Sequence, residues 1–169
     1  MFLKEDLIKL RNLADIEAIT PRDFEWFSKF LFEHLGFASV FVTKKHGELE
    51  GDGGIDLTMF QNKEKIYVQC KKWRFGFKDS ILPVHVIREL GGCMLRDKVH
   101  RGVVITTLEI DPLGEREAQQ MNIELIGKLE LIKYMVTINP IFNQHKQIGI
   151  FRHLLNLLVS IFKFIFLNK

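Results

Sequence analysis

Leu3, Leu7, Leu10, Leu13 and Ile16 recur at helical spacing, which predicts an amphipathic helix over residues 3–17. Thr20-Pro21-Arg22-Asp23 is a helix start, with Thr20 as N-cap, Pro21 in the first turn and Asp23 at the positive helix end. This second helix carries Phe24, Phe27, Leu31 and Leu35 as its core stripe, places Glu25 beside that stripe, and stops at Gly36. Ala38 to Thr43 reads as a short strand, followed by a polar loop that ends in a glycine cluster.

The period then changes from helical to alternating. Ile55 to Phe60 and Lys65 to Trp73 alternate around Gln61-Asn62-Lys63-Glu64 and predict a β-hairpin. Residues 83–98 are helical in pattern despite Gly91-Gly92, a pair that suits close packing. Val103 to Thr107 is a continuous run typical of a strand buried on both faces. Asp111-Pro112 opens another helix to about Met121, then come a strand over Ile123–Ile126 and a helix over Lys128–Met135. Strands followed by alternating helices predict an α/β fold with a mixed sheet, because the hairpin is antiparallel.

With 169 residues, 47% apolar and 27% charged, the chain suits a single globular core. Its net charge is only +3, but six lysines and arginines face one glutamate between Gln61 and Lys78. Four basic residues and no acid follow Pro140. Local basic surface of this kind suits a polyanion. Cys70 and Cys93 show neither disulfide nor metal spacing, so a reduced, cytoplasmic setting is expected. The six histidines show no paired ligand spacing, and the N-terminus has no signal-peptide core.

The hairpin places chemistry together. With its turn centred between Asn62 and Lys63, opposed residues have numbers summing to 125, so Asp56 is expected opposite Gln69. Opposed side chains share a face about 5 Å apart at Cβ. Lys71 joins them on that face, while Ile66, Val68 and Cys70 go to the other with Leu57 and Met59. A carboxylate, a carboxamide and an ammonium in one cluster suit metal-assisted phosphodiester hydrolysis, since hard oxygens hold Mg²⁺ and a lysine orients water or offsets phosphate charge. Gln69 brings no negative charge; Glu25 restores it if the second helix packs against this sheet edge. Simpler readings stand beside these. A carboxylate near glycines commonly caps local amides, Lys72, Arg74 and Lys78 suit a solvated edge, and Glu25 suits an exposed helix face. Trp73 and Phe75 suit base stacking or core packing. The glycine loop precedes a strand and lacks a Walker lysine, which excludes a nucleotide-binding loop.

Phe24-Glu25, Gly51-Asp52-Gly53-Gly54-Ile55-Asp56-Leu57, Val68-Gln69-Cys70-Lys71-Lys72 and Gly102 to Thr107 together resemble the catalytic domain of Mrr-like restriction endonucleases, of the PD-(D/E)xK nuclease superfamily. The resemblance covers about residues 18–135. It implies a restriction-endonuclease-like mixed sheet flanked by helices. It also implies a catalytic triplet of Asp56, Gln69 and Lys71, with Glu25 as the acid of the first core helix and Asp52 shaping the loop. By the same resemblance Mg²⁺, with Mn²⁺ as a substitute, would be held by Asp56, Gln69 and Glu25. Double-stranded DNA would be the partner, with Lys44, Lys45, Lys72, Arg74 and Lys78 as weaker contact candidates, and defence against foreign DNA the setting. A junction-resolvase-like repair nuclease and a degenerate DNA-binding module are the alternatives. Ile126-Gly127 stands where the family pattern calls for an aspartate, and only about twenty residues precede the core, so methylated-DNA specificity is not implied.

The expected organisation is an N-terminal helix (1–19), a nuclease domain (20–136) and a linker with an apolar C-terminal helix (137–169). Arg152, Asn156, Ser160 and Lys163 mark one face of that last helix, and the two charges interrupt a membrane span. Docking on the domain, homodimerisation through the helix and membrane-surface contact all fit the pattern.

Overall fold

The computed structural model describes residues 2–43, 54–73 and 81–139. Within them a five-stranded sheet in the order β1-β2-β3-β4-β5 is covered by helices on both faces. In chain order the elements are a 3₁₀ helix (Lys4–Lys9), α1 (Leu13–Ala18), α2 (Pro21–His34), β1 (Ala38–Val42), β2 (Leu57–Gln61), β3 (Glu64–Lys71), α3 (Val84–Asp97), β4 (Arg101–Thr106), α4 (Pro112–Gln120), β5 (Ile123–Ile126) and α5 (Lys128–Ile138). β1, β2 and β3 are antiparallel neighbours, while β3, β4 and β5 run parallel, so the sheet is mixed.

Each face has its own core. On one, Phe24, Phe27 and Leu31 of α2 and Leu131 and Met135 of α5 pack on Leu57, Met59, Ile66, Val68, Val103 and Ile105. On the other, Val86, Ile87 and Leu90 of α3 and Ala118 of α4 pack on Tyr67 and Val104. The two sets alternate along β3, as a strand buried on both faces requires. Gly91 lets α3 approach the end of α4: a Cβ there would stand 2.5 Å from the Met121 sulfur.

The hairpin follows the expected register. Leu57 pairs with Val68 and Gln61 with Glu64, so opposed numbers sum to 125. The cause is local: Asn62 and Lys63 both adopt positive φ, at 50° and 71°, the signature of a two-residue type I′ turn. Helix α2 also starts as its sequence dictates, with Thr20 Oγ1 accepting the Asp23 amide at 3.1 Å.

The first helix departs from expectation. In place of one helix over residues 3–17, a 3₁₀ helix stops at Lys9 and α1 begins anew at Leu13. Asn12 causes the restart: its side chain accepts the Asp15 amide at 3.2 Å, while the Asp15 carboxylate accepts the Arg11 amide at 2.6 Å. At the break, Asn139 beyond α5 donates its side-chain amide to the carbonyls of Ile8 and Leu10, at 2.8 and 2.7 Å. Leu7, Leu10 and Ile16 still reach the core. Smaller differences concern ends: β3 stops at Lys71 rather than Trp73, and β4 spans Arg101–Thr106. No described helix is long and apolar enough to cross a membrane. The expected apolar helix at residues 148–167 lies outside the described residues.

Candidate active site

Asp56 sits at the entrance to β2, where the backbone leaves the ladder. Its N–H donates to the Val68 carbonyl at 2.9 Å, and its own carbonyl accepts the Thr43 amide at 2.8 Å. Leu57 is already the partner of Val68, so Asp56 bulges out of register instead of standing opposite Gln69. The carboxylate turns along the sheet edge, where Oδ2 accepts the Cys70 amide at 2.7 Å. This is the position where the ladder would next supply a backbone carbonyl. The capping role of a carboxylate near glycines is therefore realised at Asp56.

Gln69 is 3% exposed, and its Oε1 is buried with no hydrogen-bond partner. A buried carbonyl oxygen without a donor costs free energy. Gly54 supports the carboxamide. A Cβ on Gly54 would stand 2.6 Å from Gln69 Nε2, and the φ of +85° at Gly54 already favours glycine. Thus the last described glycine of the loop packs on the carboxamide.

Lys71 ends β3 and shares the Gln69 face by alternation. It pairs with Thr106 of β4, whose hydroxyl donates to the Lys71 carbonyl at 2.6 Å. Lys72 belongs to the opposite face. There it lies within electrostatic reach of Glu17, a residue the sequence pattern did not single out. Glu17 Oε2 is buried without a hydrogen-bond partner, and burial raises the carboxyl pKa against the opposing pull of Lys128 and Lys72. Only its place in the short α1 separates Glu17 from an ordinary helix glutamate, so no sequence signal would have found it.

Helix α2 brings Glu25 to this same end of β3. The Cys70 thiol registers the arrangement: burial first, then the charges of Asp56 and Glu25, push its pKa well up, while the Ser28 hydroxyl acts in the opposite sense. Two carboxylates therefore bear on Cys70, whose side chain lies on the opposite face from Gln69 and Lys71. Among the described residues no three His, Cys, Asp or Glu side chains form a metal-holding group. The oxygen donors at this end of β3 are the Asp56 carboxylate at the Cys70 amide, the Gln69 carboxamide oxygen without a partner, and the Glu25 carboxylate that acts on the Cys70 thiol. Trp73 takes the packing role, lying partly buried against the α3 core. Lys44, Lys45, Arg74 and Lys78, together with Asp52 of the glycine loop, lie outside the described residues.

A groove of about 640 Å³ lies elsewhere, between α4, β5 and α5. Glu109, Glu115, Glu124 and Glu130 line it against Arg101 and Lys128, a balance that does not suit a polyanion.

Known proteins match this architecture. The small subunit of the heterodimeric restriction endonuclease R.BspD6I aligns with a TM-score of 0.51 at 13% identity, over 92% of this chain and 88% of its own. The DNA modification-dependent restriction endonuclease AspBHI aligns with a TM-score of 0.55 at 14% identity. MspJI restriction endonuclease, solved with a 27-mer oligonucleotide, gives 0.52 at 14%. This chain spans 38% of AspBHI and 34% of MspJI. At such identities the likeness shows the fold, which is restriction-endonuclease-like. No curated protein matches the sequence. The restriction endonuclease model of the Mrr catalytic domain matches residues 16–135, well over half of the sequence, and the chain therefore belongs to that family of nucleases.

Proposed function

We propose that the chain is a metal-dependent endodeoxyribonuclease that hydrolyses phosphodiester bonds of double-stranded DNA in restriction of foreign DNA. The observation that carries the reading is the buried, unpartnered Gln69 Oε1, two residues before Lys71 on the strand whose Cys70 amide the Asp56 carboxylate accepts. The oxygen donors fit a hard divalent cation such as Mg²⁺, with Asp56 and Gln69 as ligands and Glu25 supplying the charge that Gln69 lacks. When bound, such an ion polarises the phosphoryl oxygen and acidifies a coordinated water. The chain's own residues do the rest. Asp56, held by the Cys70 amide, fixes the cation-facing oxygens. Gly54 keeps the Gln69 carboxamide in place. Lys71 orients the attacking water and offsets charge on the phosphate. DNA contacts from Lys44, Lys45, Lys72, Arg74 and Lys78, a cytoplasmic location and a homodimer through the C-terminal segment complete the proposal.

The test is cleavage of plasmid DNA with Mg²⁺ or Mn²⁺ by the wild type and Lys71→Ala. Loss of a water-orienting group is expected to lower the rate by about 10²–10⁴-fold with the fold intact by circular dichroism. Wild-type failure on unmodified, modified and branched duplexes alike sinks the nuclease reading. A preference for branched duplexes would favour a repair role over restriction.

A further inference from the structure

We propose that Thr106 is a positioning residue for Lys71, holding the end of β3 so that the ammonium meets the phosphate at a fixed distance. The proposal rests on the nuclease reading above. Lys71 is the last residue of its strand, paired with the last residue of β4. A strand end frays unless something beyond the ladder ties it. Here two side chains do so. The Thr106 hydroxyl donates to the Lys71 carbonyl at 2.6 Å and accepts the Leu108 amide at 3.1 Å. Two residues past Lys71, the Trp73 amide donates to Thr107 Oγ1 at 3.4 Å.

Both threonines are buried, Thr106 fully and Thr107 to 4% exposure. They follow the apolar residues Val103, Val104 and Ile105. Valine has the shape of threonine and suits a buried strand as well. What the hydroxyl adds at residue 106 is a bridge between the chain turning away after β4 and the carbonyl of Lys71. A lysine side chain is a long flexible stem, so its reach is only as well defined as the backbone that carries it. A displacement of about 1 Å in a reacting geometry is worth up to about 10²-fold in rate.

A plain structural role also follows from a buried threonine that satisfies a local amide, and it would alter stability alone. The two are separated with the full chain by comparing Thr106→Val and Thr106→Ser against wild type and Lys71→Ala. Plasmid cleavage is followed well below the melting temperature of each variant. We expect Thr106→Val to lose about 10–100-fold in kcat with KM nearly unchanged. Thr106→Ser, which keeps the hydroxyl, is expected to recover wild-type kcat. Wild-type kcat in Thr106→Val, or equal impairment in Thr106→Ser, overturns the proposal. If Thr106→Val does not fold, Thr106→Ala takes its place under the same criteria. Amide exchange gives a second reading without DNA: the Trp73 amide, two residues past the tied carbonyl, should lose protection in the hydroxyl-less variant, and unchanged protection overturns the tie. A wild type that cleaves nothing sinks the nuclease reading, while exchange still decides whether the tie exists.

Discussion

The two ends of β3 are built on opposite rules. At the turn end, polar groups are paired. Lys65 donates to the Tyr67 hydroxyl at 3.1 Å, and that hydroxyl donates to Asp97 at 2.8 Å. Arg96 also holds Asp97, and Arg101 reaches Gln61 at 2.9 Å. At the other end Gln69 keeps a buried oxygen without a partner, and the Asp56 and Glu25 carboxylates bear on the adjacent Cys70. The first end ties α3 to the sheet and is saturated. The second retains an unmet acceptor, which a purely structural strand would have replaced with an apolar residue. On the nuclease reading, the contrast divides stability and chemistry within one strand.

Changing Gln69 tests that division most severely. Gln69→Leu is expected to lower DNA cleavage by about 10²–10³-fold, because an oxygen placed to hold the cation is gone. Its thermal stability should be unchanged or higher, because a buried orphan disappears with it. A melting temperature well below wild type would mean that the carboxamide is structural, and the contrast would collapse.

Gly54→Ala comes next. The added Cβ meets the carboxamide at 2.6 Å on a backbone with φ of +85°, so both the turn and Gln69 must shift. A loss of roughly 1–3 kcal/mol in unfolding free energy is expected, with cleavage falling alongside. Denaturant unfolding and plasmid cleavage check it, and unaltered cleavage would detach the glycine from the site.

At the saturated end the effects should be smaller and confined to stability. Tyr67→Phe removes two hydrogen bonds, each worth about 1 kcal/mol, and should leave cleavage at the wild-type rate. The acid side of the same network has a defined sign. Arg96 first, then Tyr67, hold the Asp97 carboxyl down to about 2. Its stabilisation is therefore present above the usual carboxylate range and is lost as pH falls from about 4 towards 2. Asp97→Asn should flatten that part of the stability profile in pH-dependent melting, and an unchanged slope would remove Asp97 from the network.

How much of this was legible depends on the range of the interaction. The Asn62-Lys63 turn fixed the hairpin register from two residues, so the shared face of Gln69 and Lys71 could be read before any fold was known. The start of α2 was equally local, through Thr20 and Asp23. The course of Asp56 was not. Its bulge depends on Thr43, Val68 and Cys70 meeting it from two neighbouring strands, and this moved the carboxylate from the expected place opposite Gln69 to the Cys70 amide.

By itself the sequence determined the periods, the caps, the turn and hence which residues of the hairpin share a face, because each follows from a few adjacent residues. Only the tertiary structure decided that Asn139 joins the broken first helix, that one carboxylate oxygen of the half-buried Glu17 is covered near Lys72, and that Thr106 grips Lys71 across 35 positions. Those contacts form when distant elements pack. A polar group's partner is set by whichever carbonyl or amide packing brings within about 3 Å, and no short window of sequence contains that distance.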